Sequence, residues 1–294
     1  MTTSKEIANY LQLPLVGDDI PIDSYSQLSE PKSNSVVFAK KYSDNHLNSL
    51  NASTVLAIVT ADYAMKLSCS HIISPNPRLD YIRVLSHFFS QDKPRGFIHP
   101  TAVVEDGAVV GKDVYIGANC YISSHSIIGE RCILHPNVVL DNMVTIGHDC
   151  EIKSGAVLGQ EGFGFERNED GEPIHFPHFG NVIVGNNVFI GSNSTVERAT
   201  LGSTIIEDNV KIDDLVQIGH NSHIGEGSMV TVGAIVCGGA ILKPQSYLAP
   251  NSNIKEKVTV GQGSLVGLGA VVLKDVPDGT IVAGVPAKEI IRNK

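Results

Sequence analysis

Residues 206–230 read IEDNVK-IDDLVQ-IGHNSH-IGEGSM-V, with an aliphatic residue at every sixth position. The spacing covers Ile98 to Leu158, Val184 to Val196 and Ile206 to Val272, with a four-residue insertion before the last stretch. Neither an α-helix, which repeats every 3.6 residues, nor an ordinary strand, which repeats every 2, gives a period of six. The pattern predicts a parallel β-helix, a solenoid of short parallel strands around one continuous core.

The residue four places after each aliphatic position is usually small, either Ala, Ser, Cys or Val. We expect the large aliphatic side chain to fill the axis of the solenoid and the small one to fit a crowded corner. Cys120, Cys132 and Cys150 fall at the small position, so packing rather than catalysis explains these thiols. Glycine often follows the aliphatic residue, which we attribute to a need for backbone freedom at the corners.

Residues 1–95 lack the repeat and predict a separate small α/β domain. Short strands are expected at Val36–Phe38 and Val55–Val59, and a helix at Leu79–Phe89, where the apolar spacing is helical. The segment 90–96, which contains Pro94, is the expected linker.

The β-helix is expected to occupy residues 96–275, and residues 276–294 are expected to cap it. One long interruption, the loop 160–180, contains Gly162-Phe-Gly-Phe165 and a charged stretch. Two aromatic residues between glycines favour a functional loop over a tolerated insertion.

Composition excludes several classes of protein. A formal net charge of −9 without a long basic run argues against nucleic acid or an anionic membrane surface as a partner. No stretch has the character of a signal peptide or an integral membrane segment, so we expect a cytoplasmic protein. The five cysteines show no CxxC spacing, which predicts reduced thiols and neither disulfides nor a zinc site.

With its period of six, the chain resembles the hexapeptide-repeat acyltransferases. The resemblance implies a mainly β fold: a left-handed parallel β-helix of 18-residue coils, each made of three hexapeptides. A β-helix has no cleft of its own, so a site must form at its outer corners, between the subunits of a homotrimer.

Two histidines each stand two residues after an inward aliphatic residue, His148 in IGHDC and His220 in IGHNS. Acyl transfer from a thioester to an amine needs a base for the amine proton and a donor for the developing oxyanion. One coil after His220 comes Gly238, whose backbone N–H is open because glycine has no side chain. Eighteen residues after His148 comes Glu166, inside the irregular loop. We therefore predict His220 as general base and Gly238 as oxyanion donor.

At these residues the chain resembles the UDP-3-O-acylglucosamine N-acyltransferases of lipid A synthesis over nearly its whole length. The segments that carry the likeness are 162–165, GFGF; 181–185, NVIVG; 196–204, VERATLGST; and 211–221, KIDDLVQIGHN. The resemblance implies the same roles for His220 and Gly238. It also implies that Phe163 and Phe165 border the sugar site, and that residues 1–95 bind uridine with Tyr42 stacked on the pyrimidine.

Several polar residues are candidates for contact with the substrate or with the His220 ring. His148 and Asn221 are candidates for contact with the substrate. The sequence does not distinguish which of Asn221, Glu197 and Asp213 orients the His220 ring.

Three features depart from that family. Val36 and Ala39 replace its Phe and Asn, residues 248–258 lack a histidine that it carries, and its chain continues into helices used with an acyl carrier protein. Residues 267–276, followed by Gly284-Val-Pro-Ala-Lys288, instead resemble coenzyme A-dependent sugar acetyltransferases. This second resemblance implies an acyl-CoA cosubstrate and a short acyl group. The residues expected to contact it are Gly238, Gly267 and Lys288.

The sequence thus predicts a homotrimeric N-acyltransferase that moves an acyl group, acetyl from acetyl-CoA, to the amine of a nucleotide-linked amino sugar for cell-envelope glycan synthesis. We expect no permanently bound cofactor, no metal and no covalent acyl-enzyme. Two alternatives stay open. One is the lipid A reaction itself, with a 3-hydroxyacyl group delivered by acyl carrier protein, and the other is a β-helix that serves as a non-catalytic binding module.

Overall fold

A computed structural model describes residues 2–41, 43–90 and 93–290 of the 294-residue chain. The chain divides into two compact units, residues 1–93 and 94–294, and each is described by itself. Tyr42, the residue expected to stack on a pyrimidine, lies outside the described residues. Within those residues, no helix has both the length and the apolar character that crossing a bilayer requires.

The first unit is a small α/β fold built on a five-stranded sheet. Its elements are β1 (Thr2–Thr3), α1 (Ser4–Leu11), β2 (Leu15–Val16), β3 (Pro21–Ile22), β4 (Ser24–Tyr25), β5 (Ser35–Ala39), α2 (Asp44–Asn51), β6 (Val55–Val59), α3 (Ala61–Ala64), β7 (His71–Ile73), α4 (Pro77–Val84) and a π-helical turn (Leu85–Phe89). The sheet has the order β2-β7-β6-β5-β4, and only β2 runs antiparallel to its neighbour. A separate antiparallel pair joins β1 and β3.

The elements predicted in this unit are confirmed. The central strand β6 is buried at all five residues because β5 and β7 flank it and both of its faces are covered. The predicted helix begins two residues earlier, at Pro77, because Asn76 caps it and proline suits a first helical turn. It then continues as the π-helical turn to Phe89.

The second unit consists almost entirely of short strands. They are β8 (Phe97–Ile98), β9 (Val103–Val104), β10 (Val109–Val110), β11 (Tyr115–Ile116), β12 (Tyr121–Ile122), β13 (Ile127–Ile128), β14 (Ile133–Leu134), β15 (Val139–Leu140), β16 (Val144–Ile146), β17 (Glu151–Ile152), β18 (Val157–Glu161), β19 (Phe165–Arg167), β20 (Pro173–His175), β21 (Asn181–Val184), β22 (Phe189–Ile190), β23 (Thr195–Arg198), β24 (Ser203–Ile206), β25 (Lys211–Ile212), β26 (Gln217–Ile218), β27 (His223–Ile224), β28 (Met229–Val230), β29 (Ile235–Val236), β30 (Ile241–Leu242), β31 (Tyr247–Leu248), β32 (Asn253–Ile254), β33 (Thr259–Val260), β34 (Leu265–Val266), β35 (Val271–Val272), β36 (Ile281–Ala283) and β37 (Lys288–Glu289).

These strands form three long parallel sheets, the faces of a prism. The first face has the order β37-β36-β34-β31-β28-β25-β22-β17-β14-β11-β8, and only β37 is antiparallel. The second face has the order β35-β32-β29-β26-β23-β18-β15-β12-β9, and the third β10-β13-β16-β21-β24-β27-β30-β33. The hairpin β19–β20 stands outside the faces. The parallel β-helix that the period of six predicted is therefore confirmed.

The register of the paired strands gives the number of residues in each coil. Ile116 pairs with Leu134, 18 residues later, and the same step recurs wherever the repeat is unbroken. Across the loop 160–180 the step is 38 residues, from Ile146 to Val184. The next coil takes 22 residues because of the four-residue insertion. Every repeat aliphatic from Ile116 to Val272 is no more than 2% exposed, so the periodic residues do form the core.

The small corner positions behave as predicted. Cys120, Cys132 and Cys150 are each at most 1% exposed and belong to the same core. Burial raises the pKa of the Cys120 thiol, which disfavours the nucleophilic thiolate. Packing therefore accounts for these residues.

The explanation for the glycines that follow the aliphatic residues was wrong. Their φ angles are not positive, and the positive angles fall mostly on Asn and other corner residues, such as Asn221 at 61°. A Cβ on any of these glycines would instead lie closer than 3.0 Å to an atom of the next coil. The requirement is close stacking between coils, which leaves no room for a side chain. The glycines concerned are Gly111, Gly117, Gly129, Gly147, Gly191, Gly219, Gly225, Gly261 and Gly267.

Candidate active site

The corner that follows the second face carries the candidate site. Strands β26, β29, β32 and β35 pair in register, so the residues two places after their inward aliphatics stack in one column. We call this column the His220 edge, and its members are His220, Gly238, Glu256 and Lys274. Neighbouring strands lie about 4.8 Å apart, so Lys274 lies roughly 14 Å along the axis from His220.

His220 packs directly against Gly238. A Cβ built on Gly238 would lie 2.7 Å from Nε2 of His220 and 2.8 Å from Cε1, so no residue larger than glycine fits. The 18-residue spacing does bring these two residues together, as expected.

The backbone N–H of Gly238 is open. At two equivalent positions a side-chain oxygen accepts the corresponding N–H: in the preceding coil of the same corner Glu197 accepts that of His220 at 3.0 Å, and at another corner Asn186 accepts that of His148 at 2.8 Å. Gly238 N–H makes no such bond to any described residue. An oxyanion hole requires a hydrogen-bond donor that is free to bind the developing negative charge, and this N–H is such a donor next to a candidate base.

Asn221 fixes the tautomer of His220. Its Oδ1 accepts from the backbone N–H and the hydroxyl of Thr200, both at 3.0 Å, and its Nδ2 donates to the Leu201 carbonyl at 2.9 Å. The amide orientation is thus set by backbone groups. Because Oδ1 can only accept, Nδ1 of His220, 3.0 Å away, carries the proton. The lone pair is then on Nε2, which faces Gly238.

The three candidates for orienting His220 take different places. Of the three, Asn221 is the one with a hydrogen bond to the imidazole. Glu197 accepts from the His220 backbone N–H and, at 2.8 Å, from Gln217 Nε2, so it holds the main chain rather than the ring. Asp213 accepts from the backbone of Val232.

The Gly-Phe-Gly-Phe segment lies beside the imidazole. A Cβ on Gly162 would be 2.9 Å from Cδ2 of His220, so this glycine allows the loop to approach the ring. The rings of Phe163 and Phe165 are 4.9 Å apart, and the two residues are 86% and 48% exposed. The loop thus places an open aromatic pair next to the candidate base.

His148 occupies a different corner, after the third face. Its neighbour in the next coil is Asn186 rather than Glu166, because the loop 160–180 intervenes between the two coils. Its Nδ1 accepts from the backbone N–H of Glu130 at 2.9 Å, so its proton is on Nε2. Within one chain His148 is therefore not part of the His220 site and has the opposite tautomer.

The residues expected to contact coenzyme A do not all lie together. Lys288 and Lys274 line a cavity of about 390 Å³ at the C-terminal end of the β-helix, together with Pro286 and Ala287. This cavity reaches the His220 edge through Lys274. Gly267 follows the first face and belongs to another corner.

The first unit has a pocket of its own, of about 510 Å³. Phe38, Ala39, Lys41 and Tyr81 are among its lining residues, and the rings of Phe38 and Tyr81 are 4.9 Å apart. Burial raises the pKa of Tyr81. Val36, one of the two departures noted in the sequence, lies in the core and is 0% exposed, whereas Ala39 lines the pocket.

Three residues near His220 escaped the sequence analysis. His178 is 2% exposed, and its ring meets that of His220 edge-on, with centroids 5.2 Å apart. Glu161 and Arg198 form an ion pair at 2.6 Å next to it. The His-x-x-His spacing of residues 175 and 178 was the one feature of the sequence that could have indicated His178. The period of six could not place these histidines near His220, because they lie in the loop that interrupts the repeat.

Comparison with known proteins agrees with this architecture. The family model described as bacterial transferase hexapeptide (six repeats) matches residues 107–142 and 125–160, and the model for the hexapeptide repeat of succinyl-transferase matches residues 181–213. A crystal structure of Francisella novicida UDP-N-acetylglucosamine acyltransferase superimposes with a TM-score of 0.60 at 26% identity, over 66% of this chain and 68% of that one. The repeats and the fold define a protein of the hexapeptide-repeat transferase class, with a left-handed parallel β-helix.

Two curated relatives place the chain more narrowly. UDP-3-O-acylglucosamine N-acyltransferase of Coxiella burnetii is 31% identical over an alignment of 227 positions, which covers 70% of this chain and 66% of that protein. UDP-3-O-acylglucosamine N-acyltransferase 1 of Francisella tularensis is 32% identical over an alignment of 235 positions, which covers 71% of this chain and 67% of that protein. The chain thus spans about two thirds of the length of these relatives. It belongs to the UDP-3-O-acylglucosamine N-acyltransferase family.

Proposed function

We propose that this protein is an N-acyltransferase that moves an acyl group from a thioester to the amine of a nucleotide-linked amino sugar. One observation carries the proposal: His220, with its lone pair fixed on Nε2, packs against Gly238, whose backbone N–H has no partner among the described residues. The names of the family's enzymes support the same chemistry.

In the proposed reaction the sugar amine attacks the thioester carbonyl carbon. The C–N bond forms as the carbonyl π electrons move to oxygen, and the Gly238 N–H stabilises the oxyanion. Nε2 of His220 takes the proton from the attacking nitrogen. The intermediate then collapses, the C–S bond breaks, and the thiolate leaves with that proton. An amide and a free thiol result.

The donor, on this proposal, carries a phosphopantetheine arm. The cavity at the end of the His220 edge is lined by Lys274 and Lys288, whose ammonium groups can pair with a phosphate. Asp275 and Glu289 also line it, so its formal charge is zero. We infer acetyl-CoA as the donor from the resemblance of residues 267–288 to coenzyme A-dependent sugar acetyltransferases. Acyl carrier protein, which presents the same arm, is the rival donor.

Each unit, taken by itself, offers a candidate surface for part of the acceptor. Phe163 and Phe165 offer apolar surface to the sugar beside His220. The pocket in the first unit, lined by Lys41 and Tyr81, has the cation and the aromatic ring that a nucleotide diphosphate and its base would use. Tyr42 is proposed to stack on that base.

We further infer a homotrimer, because a corner of a β-helix is convex and needs a second subunit to form a cleft. Large apolar side chains on the outside of the β-helix support an interface, among them Met229, Ile235 and Leu268, which are 49%, 41% and 73% exposed. Sedimentation equilibrium should give three times the chain mass of 31.4 kDa.

The proposal is tested by measuring amide formation from UDP-linked 2-amino and 3-amino sugars with three donors: acetyl-CoA, a long-chain 3-hydroxyacyl-CoA and the corresponding acyl carrier protein. Acetylation of one amino sugar by acetyl-CoA at a saturable rate is the expected result. Turnover only with the acyl carrier protein would show that this protein, and not acetyl-CoA, is the donor, and the proposed N-acyl transfer would still hold. Absence of turnover with every donor, and of binding by calorimetry, would favour the non-catalytic module.

A further inference from the structure

The loop 160–180 brings a carboxylate and two imidazoles together beside the His220 edge. Oε2 of Glu161 lies 3.2 Å from Nε2 of His175. The candidate ligand atoms of Glu161, His175 and His178 all lie within 4.8 Å of one another. The three residues come from β18, from β20 and from the segment between β20 and β21, so they tie the hairpin to the second face.

His178 is the member that points to a ligand. It is 2% exposed, and its Nδ1–H donates to the Phe176 carbonyl at 2.8 Å, which leaves the lone pair on Nε2. Among the described residues Nε2 has no hydrogen-bond partner. A buried acceptor without a partner is uncommon, because burial removes its bond to water without replacing it.

We propose that Glu161, His175 and His178 bind a divalent cation of the zinc class. Two imidazole nitrogens and one carboxylate oxygen are a ligand set that zinc uses when its fourth position stays open. Ligand atoms about 2.1 Å from a tetrahedral zinc ion lie roughly 3.4 Å from each other, close to the Glu161–His175 separation. The ion would also supply the missing partner of His178.

Arg198 positions this ligand set. Its guanidinium donates to Oε1 of Glu161 at 2.6 Å and to the His178 carbonyl at 2.9 Å, which leaves Oε2 directed at His175. Burial raises the pKa of Glu161, but the hydrogen bond and charge of Arg198 outweigh it, so the carboxyl is ionised at neutral pH. The same positive charge opposes a cation, so we expect weaker binding than at a closed structural zinc site.

The site goes beyond the proposed acyl transfer and does not depend on it. The cysteine spacing predicted no zinc site, but this ligand set contains no cysteine and is assembled by the loop. With the ion bound, the hairpin β19–β20 is fastened to β18 next to the ring of His220. The role that follows is to hold the Gly-Phe-Gly-Phe segment in place.

The test uses the full chain, freed of any affinity tag and stripped with a chelator. Zinc is titrated by calorimetry, and bound metal is counted after gel filtration. Wild type is expected to bind one zinc ion per chain and to melt at a higher temperature with zinc present. H175Q and H178Q should bind at least tenfold more weakly and lose the thermal shift. H175Q is the main variant, because His175 is on the surface and its replacement leaves the core intact.

H223Q is the matched control. His223 pairs with Glu207 at 2.7 Å on another face, and their side-chain exposures of 39% and 38% are close to the 39% and 35% of His175 and Glu161. Among the described residues no second imidazole joins this pair to make a metal-binding group. H223Q should bind zinc like wild type. The proposal is overturned if wild type binds less than one ion per chain, or if H175Q and H223Q bind equally. Substitution with cobalt should also give the visible absorption of a four-coordinate ion in wild type and not in H175Q.

Discussion

Nε2 of His220 would lie only 2.7 Å from a Cβ on Gly238, so a candidate base and a candidate oxyanion donor are separated by no more than the thickness of one coil. The contact arises because strands β26 and β29 pair in register. The fold itself therefore assembles this pair, and no loop needs to close to bring the two groups together.

Gly238→Ala should abolish turnover without unfolding the protein. The added methyl group has no space under the imidazole, so the ring must move, and the geometry of both groups is lost. Since loss of one oxyanion donor costs about 10²–10³ in kcat, we expect a fall of at least that size. Steady-state rates of amide formation and a thermal melt provide the measurement.

Gly227→Ala is the control for that substitution. Gly227 is also a corner glycine, with a φ of 66°, and the one atom near its missing Cβ is Cγ of Gln245, at an ordinary contact distance of 3.8 Å. The variant should lose about 1 kcal/mol of stability from left-handed strain and keep its rate. Equal loss of activity in both glycine variants would contradict a specific role for Gly238.

Asn221→Ala should lower kcat more than it raises KM. The substitution removes the acceptor that keeps the proton on Nδ1, so the imidazole can adopt the other tautomer or turn away. We expect a fall in kcat of about tenfold to a hundredfold, because the tautomer controls the base in the transition state.

Asn251→Ala is matched to it, since Asn251 is likewise a corner residue of positive φ, at 57°. Its rate should stay near that of wild type. A pure increase in KM for Asn221→Ala would instead assign Asn221 to substrate binding, which the sequence had also suggested.

Ala240→Leu should destabilise the β-helix. Ala240 is 0% exposed at the small corner position, and overfilling such a site costs about 1–3 kcal/mol. Ile241→Leu, at the neighbouring residue, which is 40% exposed, should leave the urea midpoint unchanged. Equal urea midpoints for the two variants would contradict the requirement for a small residue at this corner position.

Thiol labelling tests the cysteine environments. Burial raises the pKa of Cys69 to about 11, so its folded-state labelling rate should increase about tenfold per pH unit up to that value. In urea the rate should level off above about pH 8.5, the ordinary thiol value. Peptide mapping should find Cys120, Cys132 and Cys150 unlabelled in the native protein. Cys69 is only partly exposed, and its rapid labelling at pH 8 would contradict the raised pKa.

Much of the fold could be predicted because a repeat of six residues restricts which side chains can occupy each position. Each inward position, such as Ile218, must be aliphatic to fill the axis, and this requirement is visible without a structure. The reason for the corner glycines was not visible in the same way. Gly219 looks like a turn residue in the sequence, but it is glycine because the next coil approaches its missing Cβ within 3.0 Å.

The candidate site could be predicted only where the period applies. His220 and Gly238 are related by one coil, so counting residues paired them. Asn221 was one of three candidates for the orienting residue, and its contact with Nδ1 of His220 distinguishes it in the structure. The hydrogen bonds from Thr200 then fix the orientation of its amide. His178 was missed because it reaches the site through the loop, whose path does not follow the repeat.

The central claim is that His220 is the base of N-acyl transfer, and one comparison of two variants tests it most directly. The kcat of His220→Ala should fall by about 10²–10⁴, with the melting temperature unchanged, because general base catalysis contributes about that factor. His148→Ala, at another corner and with the opposite tautomer, should keep its rate within a few-fold. A folded His220→Ala variant with near wild-type kcat would contradict the account.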